Sequence, residues 1–165
     1  MIHEKTTKRI IEFLAVIIPA LEKMRRGDAK WAGRKGAAFC LAHARTGIPF
    51  LGPILVGRVN SPAKADKYLA LCREKALRLA ENPGHYSNWQ SRDPDADMWG
   101  GAVRVGDIIL SMSGLPELGD EALMLTVANI FLPYQRESAN ILDLIALWSD
   151  NPYWDVLRLL EAKGF

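Results

Sequence analysis

The spacing of apolar residues divides the chain into helical and extended stretches. Ile10, Ile11, Phe13, Leu14, Ile17, Ile18, Leu21 and Met24 form the broad i, i+3, i+4, i+7 stripe of a helix that packs on a sheet or a partner, although Glu12 and Pro19 interrupt the apolar run. Two β-rich runs follow, Ala37 to Ala44 and Gly52 to Val59, joined by a loop through Arg45-Thr46-Gly47-Ile48-Pro49, and they read as a hairpin. A helix over about Ala63 to Glu81 places Tyr68, Leu71, Cys72, Ala76 and Leu79 on one face and stops at Asn82-Pro83-Gly84. Ala102 to Val105 and Ile108 to Met112 form a second hairpin about Gly106-Asp107, whose first residue suits φ > 0. Beyond Ser113-Gly114 and Pro116, the acidic residues Glu117, Asp120 and Glu121 precede the apolar run Leu123 to Phe131, as the positive end of a helix dipole favours.

The last thirty or so residues are helical by the same criterion. Ile141, Leu142, Leu144, Ile145, Leu147 and Trp148 share a face, Asp150-Asn151-Pro152 reads as a capped restart, and Trp154, Val156, Leu157 and Leu160 follow. Exposing both helices would leave a large apolar patch on a monomer. The expectation is that they pack back on the domain or onto another copy of the chain, with Trp148, Trp154, Leu157 and Leu160 removed from water. The chain thus divides into an α+β domain over residues 1–133 and a helical extension over residues 134–165.

The order of the central motifs resembles the GlcG/HbpS-like family, which includes haem-degrading and PduO C-terminal-like members. The resemblance covers residues 6 to 131 and rests on Gly100-Gly101, a strand, a Gly turn, a strand, Ser113-Gly114 and an acidic helix start, preceded by Arg58-Val59-Asn60-Ser61 and Lys75-Ala76. Asn60-Ser61 stands where the family usually has Asp-Gly. What the resemblance implies is a profilin-like fold, an antiparallel sheet of at least four strands covered by helices, here with a C-terminal helical extension. It further implies a small-molecule ligand, with haem or another tetrapyrrole as a candidate cofactor, and a homo-oligomer.

Composition narrows the alternatives. In 165 residues, 49% hydrophobic and 24% charged positions describe a globular chain rather than a disordered one. The 21 basic and 19 acidic residues nearly balance, which argues against nucleic acid and against a membrane surface as general partners. Lys23, Arg25, Arg26, Lys30, Arg34 and Lys35 cluster after the first helix; with only Trp31 among them as an aromatic, a solvated linker is the favoured reading over a nucleic-acid arm. The N-terminal apolar stretch is too short to span a bilayer and lacks a cleavage site, so the expectation is a soluble, cytoplasmic protein. Cys40 and Cys72, in a strand and a helix, read as two buried thiols rather than a disulfide, and no Cys/His spacing points to a metal site.

The candidate ligand-binding residues are Lys75, His85, Tyr86 and Arg92. Lys75 sits in the middle of an apolar helix face, where its stem covers apolar surface with the ammonium at the solvent edge, or where it points into a pocket toward an anionic group. His85, Tyr86 and Arg92 lie in the polar, aromatic stretch from Pro83 to Met98, long for a connection in a compact domain. That stretch also holds Asp93, Asp95 and Asp97, which lack the glycine and distant glutamate of a calcium loop. His43, alternating with Phe39 and Leu41, reads as a hydrogen-bonded core histidine. No nucleophile elbow, phosphate loop or dinucleotide motif is present, so nothing in these residues requires an enzyme. The reading that leads, a small-ligand-binding or sensor-like protein, is what the family resemblance implies, since that family includes haem- and corrinoid-associated members. Two rivals stand beside it: a non-catalytic oligomeric interaction or assembly protein, and an enzyme acting on a small organic acid.

Overall fold

The computed structural model describes residues 2–133 and 140–164. The chain is α+β. A four-stranded antiparallel sheet is built from β1 (Gly36–His43), β2 (Pro49–Gly57), β3 (Ala102–Val105) and β4 (Ile108–Ser113) in the order β2-β1-β4-β3. Five helices surround it: α1 (Glu4–Met24), α2 (Pro62–Glu81), α3 (Glu117–Phe131), α4 (Ile141–Ser149) and α5 (Tyr153–Lys163). The junction between domain and extension, set at residue 134 from sequence, falls in a stretch outside the described residues.

Alternation along the central strands explains the layering. Phe39 and Leu41 of β1 and Leu110 and Met112 of β4 turn to one face, where they meet α1 and α3, while Ala38, Cys40, Ala42 and Ile109 turn to α2 on the other. Both faces of β1 and β4 are therefore buried, which is why their sequences read as nearly continuous apolar runs. The α2 side is lined by small side chains. A helix can approach closely there, and Ser111 Oγ donates to the Cys72 carbonyl at 2.8 Å while Cys72 Sγ lies 3.4 Å from the Ser111 carbonyl. Cys40 and Cys72 are both free and buried, as read from sequence.

Helix α3 is buried on every side from Gly119 to Ala128, because α4 and α5 pack on the face it turns away from the sheet. Trp31 docks against it; a Cβ at Gly119 would lie 2.5 Å from the Trp31 ring. The β3–β4 turn is as predicted, Val105 facing Ile108 across Gly106 at φ +56. Helix α1 starts at Glu4, earlier than the apolar stripe, and runs through Pro19.

One expectation is corrected. His43 is exposed rather than in the core, because it ends β1 beyond the cover of the helices, and its ring rests beside Phe50 at 5.0 Å. In the extension, Ile141, Leu142, Ile145, Tyr153, Val156 and Leu160 are buried, but Trp148 and Trp154 remain exposed on the single chain. None of the helices among the described residues is long and apolar enough to cross a membrane.

Candidate functional site

The sequence-predicted site residues fall around one buried polar seam between α2, α3 and the connection from α2 to β3. Lys75, 2% exposed, does not reach solvent: its Nζ donates to the Met112 carbonyl at 2.9 Å and to Asp120 Oδ2 at 3.1 Å. Asp120 Oδ1 accepts from the Leu115 N–H at 3.0 Å, so the ion pair joins α2, β4 and the start of α3. Gly101 closes over it. At φ +122 a Cβ there would lie 2.8 Å from Lys75 Nζ and 2.8 Å from Asp120 Cβ, so the second glycine of the Gly100-Gly101 pair is required by close approach. Burial pushes the Asp120 carboxyl up from its ordinary range, against the pull of the Lys75 ammonium and of the Leu115 and Gly114 backbone.

One helical position on, Glu121 is a second buried carboxylate, with no cation paired to it among the described residues. It accepts from Ser87 Oγ, from Ser149 Oγ, and from Asn151 Nδ2 at 2.7 Å, and so ties the α2–β3 connection and the α4–α5 turn to α3. Burial pushes its carboxyl up, opposed by those three hydrogen bonds.

The connection from residue 82 to 101 is clamped rather than loose. Arg78 of α2 donates to the Asn88, Ser91 and Trp99 carbonyls, and Asn88 reaches the Lys75 carbonyl at 3.3 Å and the Ala102 N–H at 2.9 Å. Arg104 holds the other end through the Ala44, Leu79, Asn82 and His85 carbonyls. Arg92 lies over the Trp89 and Trp99 rings, 4.9 and 5.7 Å from their centroids, with Glu117 Oε1 at 2.7 Å. Tyr86 is exposed; His85 is half-buried and its Nδ1 has no hydrogen-bond partner. Asp93, Asp95 and Asp97 are exposed, and Asp97 Oδ1 accepts from the Trp99 indole at 2.6 Å.

The seam offers little to catalysis. Lys75 and Asp120 are held by one another and by backbone groups, Glu121 by the Ser87, Ser149 and Asn151 side chains, and burial drives the Cys72 thiol well above its usual range, away from a reactive thiolate. Ligand-sized space lies elsewhere. A groove of about 600 Å³ runs between α1, α3 and α5, floored by Phe13, Phe131, Leu157 and Leu160, with Val16 and Ile130 exposed on its walls and Arg9 and Glu12 at its rim. Arg9 leans over the Phe131 ring at 5.7 Å. The apolar stripe on α1 was legible in sequence; that part of it would line open space was not, since α3 and α5 must be placed first.

Fold and groove together define an α+β protein with a helix-lined apolar cleft and a buried, hydrogen-bonded polar seam. In comparison with known proteins the chain matches no family model, no curated protein and no solved structure.

Proposed function

We propose that this protein is a non-catalytic, sensor-like binder of a small, mainly apolar molecule, held in the groove between α1, α3 and α5. The observation that carries the reading is the groove itself: its volume of about 600 Å³ lies within the range typical of small-molecule sites, and it is apolar with a few polar groups at its rim. Membership of the GlcG/HbpS-like family is part of the proposal, supported by the order of hairpin, helix, Gly-Gly, hairpin and acidic helix start. That resemblance makes tetrapyrroles the first ligands to test. Among the described groove residues there is no His, Cys, Met, Tyr or Lys. The groove thus fits the bulk of a macrocycle, with Arg9 available to a carboxylate, but supplies none of the usual side chains for haem iron.

Protoporphyrin and hemin should therefore bind alike, each saturably, followed by quenching of tryptophan fluorescence and by a Soret shift. Ile130→Glu and Val16→Glu, both on exposed positions, should weaken both ligands while leaving the melting temperature unchanged. Non-saturating absorbance, or equal affinity in wild type and variants, would overturn the assignment.

One observation favours self-association as well. Leu147 and Trp148 are 69% and 56% exposed on α4, with Leu144 beside them, so the apolar face predicted for this helix is only half covered by α3. A homo-oligomer built through α4 would bury them. Leu147→Glu combined with Trp148→Glu should then lower the mass seen by sedimentation without unfolding the chain; unchanged mass would count against it. Cytoplasmic placement belongs to the same reading and is supported by the two free thiols in the core.

A further inference from the structure

A second cavity, remote from the groove in sequence and opposite in character, lies where the α1–β1 linker and the β2–α2 loop run side by side. The two are tied where the Arg58 N–H donates to the Lys35 carbonyl at 2.9 Å and where Gly36 pairs with Gly57. Close approach requires Gly57, at φ +72, since a Cβ there would lie 2.4 Å from the Lys35 oxygen. The cavity between them measures about 320 Å³.

Its lining is cationic. Lys30, Arg34 and Lys35 come from the linker, Arg58 from the loop and Lys64 from the first turn of α2, while no Asp or Glu among the described residues lines it. Among the described residues none of these five makes an ion pair, whereas Arg25 and Arg26 of the same sequence cluster are paired with Asp155 and Glu22. Arg25 and Arg26 are thus offset by carboxylates, whereas the five cations around the cavity have no acidic residue in its described lining to offset their mutual repulsion. Arg34 is fixed in place: its Nη1 donates to Tyr68 Oη at 2.8 Å and to the Gly114 carbonyl at 3.0 Å. Tyr68, one turn beyond Lys64, accepts that bond and keeps its own hydroxyl proton to donate. The N-terminal turn of α2, capped by Ser61 Oγ accepting from the Lys64 N–H, adds the positive end of the helix dipole.

We infer that this cavity binds a small phosphorylated molecule carrying a diphosphate or two adjacent phosphates. Arginine forks give paired N–H groups to phosphate oxygens, lysines add compact charge, and five cations match a ligand bearing several negative charges better than they match a single carboxylate. A nucleic-acid strand is less well served. Trp31, the aromatic nearest in sequence, is buried against Gly119 and provides no stacking platform. The inference does not depend on the groove.

The test is calorimetric titration of the full chain with pyrophosphate and with ADP, at low and at raised salt. Saturable binding that weakens as salt rises is expected. Arg58→Glu combined with Lys64→Glu, both at exposed positions, should lower the affinity about tenfold or more, and Lys23→Glu, outside the cavity, should leave it unchanged. The double variant should keep its porphyrin affinity, and Ile130→Glu should keep its pyrophosphate affinity. Absence of saturable binding to the wild type would overturn the assignment, as would citrate binding as tightly as pyrophosphate, a folded double variant of undiminished affinity, or a single-stranded oligonucleotide that outcompetes pyrophosphate.

Discussion

At the scale of single residues, Lys75 shows how far a helical wheel reaches. Its place amid Cys72, Ala76 and Leu79 was visible, and either solvent or a ligand would answer its charge; the actual counter-charge, Asp120, lies 45 residues away on α3. On the sequence alone Lys75→Met would leave the fold intact or more stable. With the partner known, the substitution strands a buried carboxylate, and a loss of about 3–5 kcal/mol is expected by urea denaturation. The double replacement Lys75→Met with Asp120→Leu should recover much of that loss, because both charges then disappear; a double variant as unstable as the sum of the singles would deny the coupling. Glu121 yields a pH prediction. Its carboxyl is raised in the fold above the ordinary value of 4.5, so it binds its proton more tightly folded than unfolded. The stability it contributes is greatest below that ordinary value and is lost as pH rises through the raised one. Glu121→Gln abolishes this term, so its stability relative to wild type should improve from acid toward neutral pH, read from denaturation midpoints at several pH values.

Among the elements, the hairpins were legible because a period of two between Gly-rich turns is a local signal. Gly106, at φ +56, is the residue on which the second hairpin turns; Gly106→Val should lower stability by about 1–3 kcal/mol, and an unchanged denaturation midpoint would remove the turn from its role. His43 was misread because strand alternation tells which way a side chain points but not where the covering helices stop. The tail was legible as helix; which of its apolar residues the domain covers was not. Its periodicity marks Ile141, Ile145, Leu147 and Trp148 alike, yet α3 covers only the first two of these. Since α3 is apolar on the side that α4 and α5 cover, deleting residues 135–165 should abolish cooperative unfolding in calorimetry or cause aggregation. A truncated chain that kept its melting temperature would show the tail to be dispensable to the core.

For the whole molecule, the candidate ligand residues illustrate what no local pattern supplies. His85, Tyr86 and Arg92 were singled out because they lie in a long polar connection, and that connection turns out to be strapped down by Arg78, Asn88 and Arg104. The two cavities, by contrast, are assembled from pieces far apart in sequence: α1 with α3 and α5 in one case, two separate loops and α2 in the other. The order β2-β1-β4-β3 also leaves two strands at the margins. Strand β3 is shielded, since Ser87 bridges to Val103 and the Arg104 N–H donates to the Tyr86 carbonyl. Strand β2 is the open one, and Pro49 and Pro53 deprive it of two N–H donors while its register with β1 slips twice. A neighbouring chain would find no regular ladder to extend there. Copies of this protein are accordingly steered away from fibre-like stacking through their sheets, and a contact between them is left to side chains rather than to a shared ladder.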